Sequence, residues 1–203
     1  MGIIRRSFRH LNCKIFSQLF KSMVRPHLEY AATSWNPHLK KEIRKIESVQ
    51  RRATKQVPEL KTLNYDERLR KLNIPTLAYR RLRGDAIETY KMMSGRYDPQ
   101  LEILLKPHKA PGKVTRGHSL KLTKPKCLTN LTKHFFTRRV VDSWNRLPEK
   151  VVSAPSIQAF ENRLDKHWSR LNIKYDFDLA MATDHPFTAT GGSRTGTEFH
   201  ESP

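Results

Sequence analysis

Apolar residues return every three or four positions in five long stretches of this 203-residue chain, and a proline or glycine follows four of them closely (Pro26, Pro58, Gly95 and Pro148). That spacing lays the apolar side chains along one face of a helix. Proline cannot continue a helix, because it has no N–H and its ring clashes with the preceding turn. Ser119-Leu120-Lys121-Leu122-Thr123 alternates apolar and polar residues and reads as a candidate short strand. The chain is therefore expected to be all-α, a small helical bundle.

The spacing predicts a first helix over 11–24, with Phe16, Leu19, Phe20 and Met23 inward, Lys14, Gln18, Lys21 and Arg25 outward, and a kink or restart at Pro26. Trp35-Asn36-Pro37 reads as a turn with one aromatic anchor. A second helix over 39–57 is the clearest element. Its stripe is Leu39, Ile43, Ile46, Val49, Ala53 and Val57; Lys41, Lys45, Ser48, Arg52 and Lys55 line the opposite side, with Arg44 and Arg51 beside them. A short helix over 65–72 begins with a capping box, Asn64 and Glu67. A helix over 77–94 turns Tyr79, Leu82, Ala86, Tyr90 and Met93 inward and stops at Gly95 in a left-handed conformation. Within it Arg81 and Asp85, spaced i, i+4, are expected to pair, while Arg80 and Arg83 either join that acid or contact phosphate. Helix returns over 133–146 with Phe136, Val140, Trp144 and Leu147 inward, and Ser156 caps a last helix carrying Ile157, Phe160, Leu164 and Trp168.

Charge divides the chain differently. The formal net charge is +20, which points to a polyanionic partner. Residues 1–105 carry net +12, residues 106–172 net +11 and residues 173–203 net −3. From Ile103 to Val141 there is no acid against ten Lys/Arg, and prolines and glycines interrupt the run. This reads as a basic arm or small hairpin. Beyond Lys174 the chain reads as a disordered tail, with too few apolar residues to offset ordering entropy. The expected organisation is thus 1–95 helical, 96–133 basic arm, 134–172 helical and 173–203 tail.

Several chemistries find no support. Cys13 and Cys127 are the only cysteines, read as reduced thiols, and they exclude a zinc knuckle. No cofactor is expected. No apolar run reaches membrane-spanning length, and no membrane partner is expected. Asp66-Glu67 is explained by helix N-terminal charge, and Tyr175-Asp176-Phe177-Asp178 alternates its acids instead of joining them. No nucleophile–base set stands out, and no catalytic or metal-binding residue is assigned. His27 and His118 read as structural hydrogen-bonding residues, and the helical aromatics as core. Trp35 and Tyr97, lying in turns, stand equally for packing or base stacking.

Five blocks run in order through the chain: Arg25-Pro26-His27-Leu28-Glu29-Tyr30, Val49-Gln50-Arg51-Arg52-Ala53-Thr54, Arg80-Arg81-Leu82-Arg83-Gly84-Asp85, Thr115-Arg116-Gly117-His118-Ser119-Leu120 and Arg139-Val140-Val141-Asp142-Ser143-Trp144-Asn145-Arg146-Leu147-Pro148. Over about Ile3 to Trp168 their order and spacing resemble the C-terminal part of the reverse-transcriptase polyprotein of Jockey-like non-LTR (LINE-type) retrotransposons. The resemblance implies an RNA-directed DNA polymerase as parent. It makes the first part of this chain thumb-like, the helical unit that grips template–primer duplex, and the rest the segment after the thumb. The family's Tyr-x-Asp-Asp turn and earlier Asp do not occur here and lie upstream in the family. The chain is accordingly expected to be a catalytically inactive fragment of that polymerase.

The basic faces then carry the expected function: sequence-nonspecific RNA or DNA binding through backbone phosphates. The residues assigned are Lys41, Arg44, Lys45, Arg51, Arg52 and Lys55 on the second helix, and Lys113, Arg116, Lys121, Lys124 and Lys126 on the arm. The alternatives are a helical protein–protein interaction module, using surface that met the palm in the parent, or a remnant reading frame with no selected function. Nuclear location is expected from charge and family, with cytoplasm as the alternative.

Overall fold

The computed structural model describes residues 11–97, 105–108, 117–126 and 131–182, and within them the fold is all-α. Helix α1 (Cys13–Leu19) starts where the Asn12 side chain accepts from Ile15 N at 2.9 Å, and runs through a widened, π-helical turn (Phe20–Val24) into α2 (Arg25–Glu29). The widening precedes Pro26, whose ring and missing N–H are incompatible with a regular turn. Phe16 and Phe20 are buried and stack at 5.7 Å, whereas Met23 points to solvent. A short α3 (Ala32–Trp35) runs up to the turn read at Trp35-Asn36-Pro37, and the Trp35 ring is largely exposed instead of anchored in a core.

Helix α4 (Lys40–Thr54) stops just short of Pro58, and α5 (Tyr65–Leu72) carries the expected capping box: Glu67 N donates to Asn64 Oδ1 at 2.9 Å and Asn64 N donates to Glu67 Oε2 at 3.1 Å. Helix α6 (Leu77–Met93) is capped by the Thr76 hydroxyl and ends before Gly95, at φ 65°. After a 3₁₀ turn (Leu131–His134) follow α7 (Phe136–Asn145), α8 (Glu149–Val152), α9 (Ile157–Ser169) and α10 (Phe177–Ala182). Ser156 caps α9 as read from the sequence.

The described residues form two apolar cores, and α6 is a wall of both. Phe16, Phe20, Ala53, Val57, Leu60, Leu69, Ile74 and Ala78 form one. Tyr79, the next residue on α6, belongs to the other, with Tyr90, Val140, Trp144, Phe160, Leu164 and Trp168. Tyr90 stacks on Phe160 at 4.3 Å and its hydroxyl donates to Ala154 O at 2.6 Å. The helical parts expected as 1–95 and 134–172 therefore share a helix. The arm also enters: Leu105 and Leu122 are buried in the second core, and one isolated antiparallel bridge, Pro107 to Leu122, stands where a hairpin is expected. The acid-poor segment is thus partly lining, not merely a tether.

Two further expectations need correction. Residues 173–182, read as tail, are part of the body: Ile173, Phe177 and Ala180 are buried, Thr76 N donates to Lys174 O at 3.1 Å, and the Tyr175 hydroxyl donates to Asn73 Oδ1 at 2.8 Å. Two aromatics and an isoleucine close together are enough to bind a short segment to an existing core. Residues 183–203 lie outside the described ones. Asp85 does not pair with Arg81. Its carboxylate takes a two-pronged fork from Arg139 of α7, Nε to Oδ2 and Nη2 to Oδ1 each at 2.9 Å, and Arg139 Nη2 also donates to Thr33 O at 2.6 Å. The planar guanidinium matches a carboxylate geometry that an i, i+4 neighbour on one helix does not offer as well.

That fork joins α6, α7 and α3 in a mostly buried site. Arg139→Ala is expected to cost about 3 kcal/mol or more in urea unfolding, because it strands the Asp85 carboxylate inside. A cost below about 0.5 kcal/mol, the range of surface substitutions, would contradict it.

Candidate nucleic-acid interface

The outer face of α4 is set by what lies beneath its inner face. Glu47, Gln50, Ala53 and Thr54 are buried, with Glu47 only 1% exposed, while Leu39, expected in the apolar stripe, is 51% exposed and Val49 half-buried. The helix is turned toward its Glu47 side compared with the stripe read from the sequence. Glu47 Oε1 accepts from the Tyr65 hydroxyl at 2.6 Å, and Oε2 accepts from Leu77 N, at the start of α6, at 3.0 Å. Gln50 Nε2 donates to Pro75 O at 2.9 Å and to the Tyr65 hydroxyl at 3.1 Å. Burial pushes the Glu47 carboxyl up; the Tyr65 hydroxyl, the charge of Arg81 and the α6 N–H groups act against that.

With that face fixed, Lys41, Arg44, Lys45, Arg52 and Lys55 are exposed along the opposite side. Over about 22 Å of helix, Glu42 is the one exposed acid between Lys40 and Thr54. Arg51 differs from the other five assigned cations. Its guanidinium lies 4.3 Å over the Tyr65 ring and 6.0 Å from the Phe177 ring. It is turned toward α5 and α10, although its side chain remains accessible.

The arm residues divide. Lys113 and Arg116 lie outside the described residues. Lys121 is half-buried against Gly117, whose φ of 115° and lack of a Cβ make room for that side chain. Lys124 is exposed and forms an ion pair with Asp142 of α7. Lys126 is exposed, its carbonyl accepting from Arg138 Nη2 at 2.7 Å. The arm segment 117–126 is fastened to α7: Asn145 exchanges two hydrogen bonds of 2.8 Å with the Leu122 backbone, Trp144 Nε1 donates to Leu120 O at 2.7 Å, and His118 Nε2 lies 2.9 Å from Trp144 O. His118 is thus structural, and burial lowers its pKa, while His27 is exposed. Ser119 donates through both N and Oγ to Glu149, holding that carboxyl below its ordinary value.

The arginines of the third block are matched by acids. Arg80 pairs with Glu29, its Nη2 2.7 Å from Oε2, and Arg83 pairs with Asp165 at 2.7 Å and Glu161 at 3.2 Å. These acids come from distant positions, which is why the sequence left both arginines open. A cleft of about 340 Å³ between α3 and α6 is lined by Glu29, Arg80, Arg83 and Asp85 together with Arg81 and Lys91. Arg81 is 5% exposed, and its Nη atoms make no hydrogen bond. Asp176 Oδ1 accepts from Leu179 N at 2.9 Å, so the acid nearest a Tyr-x-Asp-Asp imitation starts α10. Among the described residues no group of three His, Cys, Asp or Glu is placed to hold a metal ion, and no helix is long and apolar enough to cross a membrane.

No family model, curated protein or solved structure matches the chain.

Arg51 and Arg52 are adjacent but differently placed, and stability separates them. Arg51→Ala is expected to cost about 1 kcal/mol through the lost cation–π contact, and Arg52→Ala less than about 0.5 kcal/mol. Equal costs would show that the Tyr65 stacking has no weight.

Proposed function

We propose that this chain binds nucleic acid through backbone phosphates along the outer face of α4, as the thumb-like and following part of a Jockey-like non-LTR reverse transcriptase, and carries no catalytic step of its own. One observation supports this most: Lys41, Arg44, Lys45, Arg52 and Lys55 share an exposed helix face whose rotation is fixed by a buried, hydrogen-bonded opposite face. Cations held on a rigid rod meet a polyphosphate without a large ordering cost, and each phosphate neutralised releases counterions. Elsewhere Arg80, Arg83, Lys124 and Arg139 are balanced by acids, so the excess on α4 is not cancelled by its surroundings. Backbone contacts carry no sequence information, and RNA, DNA or a hybrid duplex all fit. Nuclear location follows as part of the same reading.

A salt titration tests it. Five phosphate contacts correspond to a slope of about −4.5 for log K against log salt on duplex DNA, from about −0.9 per contact. The double substitution Lys45→Ala, Arg52→Ala is expected to weaken binding to all sequences alike and to reduce the slope by about 2. A slope near zero in the unaltered protein, or a loss confined to one sequence, would overturn the reading.

A further inference from the structure

Four large apolar side chains stand out in solvent near one place: Tyr30 is 80% exposed, Trp35 41%, Leu39 51% and Phe135 52%. Contacts gather them. Trp35 Nε1 donates to Tyr30 O. His38, beside Leu39, stacks on His134, beside Phe135, with ring centroids 3.9 Å apart and planes 11° from parallel. A cavity of about 210 Å³ at the same place is walled by Ser34, Met92, Phe135 and Phe136.

The place is held firmly from below. Arg139 bonds the Thr33 carbonyl, while Arg138 bonds Thr132 Oγ1 at 2.9 Å and the Lys126 carbonyl at 2.7 Å. Exposed lysines belong to the same segments. The exposed Lys40 and Lys41 begin α4 immediately after Leu39, and the exposed Lys126 is tied to α7 three residues after Phe135. The one acid lining the cavity, Glu88, is engaged by Lys91 at 3.4 Å and by the Tyr97 hydroxyl.

We infer that Tyr30, Trp35 and Phe135 form a stacking platform for unpaired bases, and that the strand engaged there is single-stranded nucleic acid whose backbone the flanking lysines hold. This rests on the phosphate-binding reading and narrows its ligand. Every base offers a π-face to an aromatic ring, so such a platform is tolerant of sequence. A duplex keeps its bases stacked on one another and gives the rings nothing to hold. The cationic rim complements a polyanion, which an apolar protein surface is not.

The test compares three ligands on the full chain at low salt: a mixed-sequence single strand, an abasic strand of equal length and a duplex. Trp144 and Trp168 are buried, so quenching of tryptophan fluorescence reports on Trp35. The mixed strand is expected to quench that fluorescence and to bind roughly 5- to 150-fold more tightly than the abasic strand, the range for one stacked base. Phe135→Ala and the more exposed Tyr30→Ala should each reduce that advantage and leave duplex binding unchanged. Equal affinity for normal and abasic strands, without quenching, overturns the platform and leaves phosphate binding intact. Failure of all three ligands to bind overturns both. A salt-resistant dimer dispersed by Phe135→Ala overturns the platform too, by making the patch a contact between copies of the chain.

Discussion

Glu47 is a carboxylate beneath a helix dense in cations, and the arrangement of the first core depends on how it is satisfied. It accepts from Tyr65 of α5 and from the first free N–H of α6, where the helix dipole also favours negative charge. Arg81 stands near it as a buried positive charge. Three helices thereby meet on one side chain. An unpaired carboxylate in that position is strongly unfavourable. Turning α4 about its axis breaks both of its bonds and carries cations toward the core. The outward direction of Lys41, Arg44, Lys45, Arg52 and Lys55 is in this sense a consequence of a bond made on the far side of the helix.

A second regularity follows from the charge excess. With 39 Lys/Arg against 19 Asp/Glu, cations outnumber acids about two to one. Most of the paired acids among the described residues join one element to another: Glu29 with Arg80, Asp85 with Arg139, Asp165 and Glu161 with Arg83, Asp142 with Lys124. Three of these pairs hold α6 against its neighbours, and the cations on the outer face of α4 are not among the paired ones. Structure and putting cations on display are thus served by different residues.

Much of the fold was legible because its signals are local. The α5 capping box, the Gly95 stop, the Ser156 cap and the restart near Pro26 each depend on residues within a turn or two. The burial of Phe16, Phe20, Trp144, Phe160 and Trp168 followed from periodicity. Glu47 and Gln50 were missed because periodicity counts apolar residues, and these two polar side chains occupy inward positions only because Tyr65, Pro75 and Leu77 meet them from elsewhere. The Arg81–Asp85 pairing failed for the same reason: Arg139, fifty-four positions away, supplies better geometry. Of the candidate site, the cationic row on α4 was readable, while the pairing of Lys124 with Asp142 was not. Phe135 did leave a signal, since two adjacent phenylalanines cannot both face inward on one helix. Four of the five blocks quoted for the family resemblance also touch one another, through Glu29 to Arg80, Asp85 to Arg139, and His118 and Leu120 to Trp144. Their residues join elements together, which is why none of them reads as a site on its own.

The most direct test is urea unfolding of Glu47→Ala beside the unaltered protein. If the buried carboxylate orders α4, α5 and α6, the substitution costs about 3–5 kcal/mol, the range for removing one member of a buried charged set. A change within about 0.5 kcal/mol, as at an ordinary surface position, would contradict the claim that this side chain fixes the direction in which α4 presents its cations.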